Sequence, residues 1–355
     1  MHRNRSIRLV DEIGGTLRIV AHGDNRWTLH QRNHGPAHDN NHNPAWLRIE
    51  NDGRPVAAHI EVRWASPWYM ACRRGGYQLT GRTWRLLRGE ITPTATRYEV
   101  TLPPGRSHFG VVPWYSNEDA DRFFDRARRL EGCSVRSIGR TGEGREIRCL
   151  TVERGRAGGK RRDVVVLARE HATETSGSFA VEGTARFILG RRAPREWLRG
   201  YRFHFLPVVN PDGVASGIKL TRMGDIRQYD MVQGGMLSDD PTMKALREEL
   251  IGMKPHLLIM HHAYIAAPAW LGVFSHEFGI RILDRIMAGR ERIGPGWHFR
   301  IMGWERRGTL RHALHCMGSN IVLTELPWTG RLPAEIGRQG VDVLKASMET
   351  CAALP

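Results

Sequence analysis

Val164 to Phe179 reads VVVLAREHATETSGSF. Val164, Val165, Val166 and Leu167 form an apolar, largely β-branched run of the kind found in a buried strand. The run breaks at once into Arg169-Glu170-His171-Ala172-Thr173-Glu174, and a helix-compatible segment continues from Thr175 to Gly190. A His and a Glu three apart, just beyond a strand end, sit where α/β sheets keep their active sites. Imidazole nitrogen and carboxylate oxygen both bind zinc at about 2.0–2.2 Å, and a catalytic site needs three protein ligands plus one open position. The pair therefore calls for a third ligand downstream and a base near it.

Two further apolar runs meet that demand. Leu257 to Met260 ends in His261-His262, and Ser319 to Pro327 (SNIVLTELP) carries one carboxylate, Glu325. Consecutive strand residues face opposite ways, so only one of the two histidines can point to a metal, and the other is a core histidine. Ile321, Val322 and Leu323 make the Glu325 run read as buried, and a lone buried carboxylate is costly unless paired or functional. Beside zinc, which lowers the pKa of its water towards about 7, such a carboxylate can take a proton and pass it to a leaving amine. Taken alone, His171 and Glu174 would be an ordinary loop histidine and a glutamate favoured by a helix N-terminus. The ordered set His-x-x-Glu, His, Glu is what raises them above that.

In order and flanks the chain resembles the zinc carboxypeptidases of the M14 (funnelin) type, and most of all the cytosolic carboxypeptidase branch, which trims glutamates from protein tails. The residues that carry the likeness are Ala168-Arg169-Glu170-His171-Ala172-Thr173-Glu174-Thr175 with Ser178, Asn210-Pro211-Asp212-Gly213, the stretch from Pro241 to His262, and Leu323-Thr324-Glu325-Leu326-Pro327-Trp328. Upstream, Trp46 to Asn51 and His108 to Ser116 are similar to parts of the β-sandwich that precedes the peptidase domain in that branch. The resemblance implies one zinc ion held by His171, Glu174 and a third ligand which, counted from Pro255, falls on His262, with His261 as the alternative. It implies Glu325 as catalytic base and acid, Arg222 as a charge at the scissile carbonyl, and Asn210 and Arg227 at the substrate. Asp225 would orient His171 from behind. The activity implied is hydrolysis of the amide bond next to a C-terminal carboxylate of a peptide or protein, with an acidic preference that Lys219, Arg222 and Arg227 would supply.

The chain also departs from the family. His171-Ala172-Thr173-Glu174 lacks the family's Pro-Gly. Gly224 to Asp230 (GDIRQYD) keeps one arginine, Arg227, where members carry an Asn-Arg pair. A guanidinium there offers a bidentate clamp for a carboxylate; its bland counterpart is a surface arginine. No tyrosine follows Tyr264, so the tyrosine many members place before the catalytic glutamate is vacant or replaced. These departures favour, as the alternative, a zinc amidohydrolase or deacylase on a small N-acyl substrate. A non-catalytic peptide-binding relative is the third reading.

Composition bounds the rest. With 355 residues, the chain is long enough for two cores. No apolar stretch approaches the roughly 20 residues that span a bilayer. The basic N-terminus has no apolar core of a secretory signal. The five cysteines are scattered with no Cys-x-x-Cys pair, which predicts no disulfide framework and a cytoplasmic setting. The net charge of +16 comes mostly from dispersed arginines. No nucleic-acid motif accompanies it, so solvated faces, and not a nucleic-acid partner, are expected.

Residues 1–116 predict an N-terminal β-sandwich domain: alternating runs at 16–21, 45–50, 57–64 and 98–102 are separated by Gly, Pro and Asn-Asp-Gly clusters. Asn51-Asp52-Gly53 is a strong turn signal. Ser116-Asn117-Glu118-Asp119 reads as the cap of a helix over 120–130. Residues 117–355 predict an α/β domain of the zinc-peptidase kind, a mixed sheet with helices on both faces. Its strands are expected near 145–152, 164–168, 202–208 and 256–261, and its helices at 175–189 and 241–252. Gly155 to Lys160 reads as a loop without the spacing of a phosphate-binding turn.

Overall fold

The computed structural model describes residues 7–13, 17–23, 25–31, 45–64, 75–155, 159–217, 236, 238–264, 270–273, 281–282, 284, 298–301, 309–327 and 330–353. Its N-terminal strands are β1 (Ile7–Asp11), β2 (Leu17–Ala21), β3 (Arg26–Gln31), β4 (Leu47–Asn51), β5 (Val56–Arg63), β6 (Gly76–Thr80), β7 (Thr83–Leu87), β8 (Glu90–Ile91), β9 (Ala95–Leu102) and β10 (Gly105–Gly110). They form two five-stranded sheets, ordered β1-β4-β10-β6-β7 and β2-β3-β5-β9-β8. Period-two alternation decides which faces meet. Ala58, Ile60 and Val62 of β5 and Tyr98, Val100 and Leu102 of β9 point inward, against Leu47 and Ile49 of β4 and Phe109 of β10 in one core. The rings of Tyr98 and Phe109 meet edge to face at 5.3 Å. This is the expected sandwich, with one difference in connection. The Asn51 turn does not close a hairpin. The carboxamide oxygen of Asn51 accepts from the Gly53 N–H, and its Nδ2 donates to the carbonyls of Arg54 and Leu102. The chain thereby crosses from β4 in one sheet to β5 in the other, and β3 and β5 become parallel neighbours.

After the sandwich, Ser116 caps α1 (Asn117–Ala127) through a complete capping box with Asp119, the device its sequence announces. A third, eight-stranded sheet follows. Its strands are β11 (Cys133–Arg140), β12 (Glu146–Val152), β13 (Arg162–Ala168), β14 (Tyr201–Leu206), β15 (Leu257–Tyr264), β16 (Trp270–Val273), β17 (His298–Ile301) and β18 (Asn320–Pro327). The order is β11-β12-β14-β13-β15-β18-β16-β17. The centre is parallel, β14 with β13, β13 with β15 and β15 with β18. β11, β12 and β14 pair antiparallel, as do β16 and β18. The remaining helices are α2 (Ser176–Leu189), α3 (Arg195–Gly200), α4 (Pro211–Ser216), α5 (Pro241–Met253), α6 (Leu310–Cys316) and α7 (Pro333–Ala353).

Both faces of this sheet are covered, which explains why its central strands are continuous apolar runs. Val164, Val166, Leu257 and Ile259 share a core with Val181, Ala185 and Ile188 of α2 and Val343 and Leu344 of α7. Val165, Leu167, Leu258 and Met260 share another with Met243, Leu246 and Leu250 of α5 and Leu310 and Leu314 of α6. The layered α/β architecture with a strand-rich N-terminal part is therefore as the sequence suggests.

α2, which starts directly after Glu174, is held against α7 by glycine. A Cβ at Gly183 would lie 2.5 Å from the Gly337 Cα and 2.6 Å from its carbonyl oxygen. The obstacle is backbone, which cannot swing aside. Gly183→Ala gains about 1 kcal/mol of helix propensity, but overpacking costs about 1–3 kcal/mol. We expect a net fall in the urea unfolding midpoint with an unchanged slope. A raised midpoint would show that α7 moves away freely.

Candidate metal centre

The site is built where β13 ends. Arg169 leaves the strand with φ +67°, a left-handed conformation that costs a non-glycine residue about 1–3 kcal/mol. Its surroundings hold it there. The guanidinium is fully buried: Nε donates to the Ala172 carbonyl at 2.6 Å, and one terminal nitrogen donates to the Tyr115 carbonyl at 2.9 Å and to Ser178 Oγ at 3.2 Å. The group lies 5.0 Å from the Trp114 ring centre. Burial pulls the Arg169 pKa down to about 9, so it stays charged at neutral pH. The turn at Arg169 projects Glu170, His171 and Glu174 from the strand end. The segment between β14 and α4 braces it: the Val209 N–H donates to the Ala168 carbonyl, and Asn210 Nδ2 reaches the Glu170 carbonyl at 3.4 Å.

Glu174 is the centre of the cluster. Its Oε1 lies 2.8 Å from His171 Nδ1. Its Oε2 lies 3.0 Å from His262 Nδ1 and accepts the Ala263 N–H at 3.2 Å. The two imidazole rings are 5.1 Å apart, inclined at 67°. One donor atom from each of His171, Glu174 and His262 lies within 4.8 Å of the others. Burial favours the neutral acid at Glu174, but the two histidines outweigh it and hold the group well below the usual carboxylate range. Burial likewise opposes charge on His262, yet Glu170 and Glu174 overcome it and hold that ring well above the usual histidine range. Two borderline nitrogen donors and one carboxylate, converging at the mouth of a sheet, fit a divalent cation that keeps an open coordination position. His171, Glu174 and His262 would hold such an ion, which would replace the imidazole proton facing Glu174.

The adjacent histidines divide by strand alternation. His262 joins the cluster. His261 continues the opposite face, with Nδ1 2.8 Å from Thr324 Oγ1. It is fully buried, and burial together with His262 pushes its pKa to about 3, so it is a neutral core histidine. β15 and β18 pair in parallel register, Thr324 beside His261 and Glu325 beside His262. Glu325 is half-buried and shares a face of the sheet with His262, one strand spacing of about 4.7–4.9 Å away. The end of β18 is tied to the start of α2 by Ser176 Oγ, which donates to the Pro327 carbonyl at 2.8 Å.

Other expected site residues fall differently. Asn210, expected at the substrate, is fully buried and directs its side chain into the fold. Its Oδ1 caps α4 by accepting the Gly213 N–H at 2.8 Å, while its Nδ2 reaches the Glu170 carbonyl. Arg222 and Arg227, with Lys219, Asp225 and Trp328, lie outside the described residues. Glu170, which spacing did not single out, is buried at 1% exposure, and its Oε2 lies 3.3 Å from His262 Nε2. A second carboxylate within the five residues from Glu170 to Glu174 was the only signal for it.

Comparison with known proteins gives the following likenesses. Residues 126–233 match the family model of the M14 peptidases, described as zinc carboxypeptidase. Over 90 residues, 24% of this chain, the sequence is 36% identical to cytosolic carboxypeptidase 2 of Xenopus tropicalis; the match spans only 9% of that protein's length. The fold superposes on a metallo-carboxypeptidase from Burkholderia cenocepacia with a TM-score of 0.79 and 17% identity, covering 98% of this chain and 100% of the other. A metallo-carboxypeptidase from Pseudomonas aeruginosa, in complex with (2-guanidinoethylmercapto)succinic acid, superposes with a TM-score of 0.75 and 18% identity over 98% of this chain and 100% of that one. Over residues 126–233 the chain is similar to the M14 zinc carboxypeptidases, and over nearly its whole length it shares the fold of the solved metallo-carboxypeptidases.

Proposed function

We propose that the chain is a zinc-dependent metallocarboxypeptidase, with one zinc ion held by His171, Glu174 and His262. The observation that carries this reading is the convergence of these three donors at neighbouring strand ends, with Glu325 in register beside His262. When bound, zinc supplies Lewis acidity that polarises a scissile carbonyl and acidifies a water. Glu325 accepts the proton of the attacking water and returns it to the departing amine. His171 and Glu174 are held by the turn that leads into α2, where the Glu174 N–H donates to the His171 carbonyl and the Gly177 N–H to the Glu174 carbonyl, and His262 by its place in β15. Arg222 and Arg227 keep their sequence-based roles, at the scissile carbonyl and at the terminal carboxylate. The substrate class is a peptide or protein C-terminus, with an acidic preference supplied by Lys219, Arg222 and Arg227.

Two finer readings accompany this one. We place the division between the sandwich and the peptidase-type part at residues 116 and 117, where the Ser116 cap begins α1. We place the protein in the cytoplasm, a reading supported by Cys133, Cys149, Cys316 and Cys351 being free thiols. Among the described residues no helix is long and apolar enough to cross a membrane.

The test is metal analysis of the purified protein followed by kcat/KM on one peptide as free acid and as C-terminal amide. We expect one zinc per chain and a large preference for the free acid. Arg227→Lys keeps the charge but loses the two parallel donors, and should weaken only the free-acid reaction. Equal rates on both peptides for both proteins would overturn the carboxypeptidase reading in favour of a zinc amidohydrolase. A zinc-free protein inert towards both would leave a peptide-binding relative.

A further inference from the structure

We infer that Glu170 is a positioning residue for His262, holding the ring from the side opposite the metal donors. The inference rests on the zinc reading of the His171, Glu174 and His262 cluster. Each nitrogen of the His262 ring faces a different carboxylate. Nδ1 faces Glu174 at 3.0 Å and Nε2 faces Glu170 at 3.3 Å. Only the first of these carboxylates belongs to the group whose donor atoms lie within 4.8 Å of one another. Glu170 is therefore placed behind a ligand and is not itself a ligand. A neutral imidazole carries one N–H and one lone pair. A carboxylate at Nε2 fixes the hydrogen there and leaves the Nδ1 lone pair directed at the metal position, which also raises the basicity of the ligand.

The placement is built by the chain. Glu170 immediately follows the left-handed turn at Arg169, and its carbonyl is gripped by Asn210 Nδ2. These two constraints direct the side chain towards His262 of β15. A carboxylate at 1% exposure is expensive to desolvate, and glutamine would fill the same space without that cost. The charge is explained by an electrostatic role at the ring it touches. Two buried carboxylates around one imidazole also supply two negative charges, the number a divalent cation neutralises.

The test compares wild type, Glu170→Gln and His262→Ala, measuring zinc dissociation constants by chelator competition, cobalt(II) absorption spectra of the substituted protein, and melting of the metal-free form. Glu170→Gln should bind zinc about 10–100-fold more weakly and shift the cobalt ligand-field bands, while the metal-free protein keeps a single cooperative melting transition. Zinc affinity and cobalt spectrum equal to wild type, with His262→Ala stripped of metal, would overturn the role of Glu170 and leave the zinc site standing. Wild type that binds no zinc, or His262→Ala that binds it as wild type does, would overturn the zinc reading beneath it. If Glu170→Gln does not fold, Glu170→Asp withdraws the oxygen while keeping the charge. Wild-type affinity in that variant overturns the proposal, and weakened affinity with a shifted cobalt spectrum supports it.

Discussion

Glu325→Gln lowers kcat by about 10²–10⁴-fold, with zinc content and unfolding midpoint unchanged. Glutamine has the shape of glutamate but cannot accept and return a proton, so the variant separates proton transfer from packing. The size of the effect follows from position. Glu325 sits beside His262 in the parallel register of β15 and β18, on the same face of the sheet, at the end of a strand that Ser176 fastens to α2. Steady-state kinetics on metal-loaded protein, with zinc counted per chain, decides the matter. Unchanged turnover at full occupancy would remove Glu325 from the mechanism.

The adjacent histidines give the second large contrast. His262→Ala should lose zinc by far more than the about 10–100-fold expected of a residue that only supports a ligand, because one of three donors is gone. His261→Ala should keep its zinc. It should instead lose stability, by about 1–3 kcal/mol, since it abandons the Thr324 hydroxyl in a buried contact. Metal stoichiometry and urea unfolding measured on both variants should thus move in opposite patterns. A His261→Ala protein that is stable but metal-free would transfer the third donor to His261.

Much of the fold is legible in the chain because its central strands are covered on both sides. β13, β15 and β18 stand out as unbroken apolar runs, and each ends in chemistry: Arg169 to Glu174, His261-His262, and Glu325. The cap at Ser116 is equally readable, because a capping box is local. The sheet's margins are not readable in this way. β11 (Cys133–Arg140) is mostly exposed or half-buried and alternates poorly. The turn at Asn51 looks the same in sequence whether it closes a hairpin or crosses between sheets.

Sequence alone determined the candidate donors, His171 and Glu174, the pair of histidines from which one must be chosen, and Glu325 as the candidate base. It also determined the layered architecture, since periodicity and capping act over a few residues. Tertiary structure decided what depends on contacts between distant segments. It chose the phase of β15, turning His262 to the cluster and His261 to Thr324. It gave Asn210 to the α4 cap and the Glu170 carbonyl. It brought Gly183 against Gly337, and it turned Arg169 into the left-handed region so that Glu170 lies behind His262. None of these has a local signature, because each is set by which surface another part of the chain presents once the core has closed.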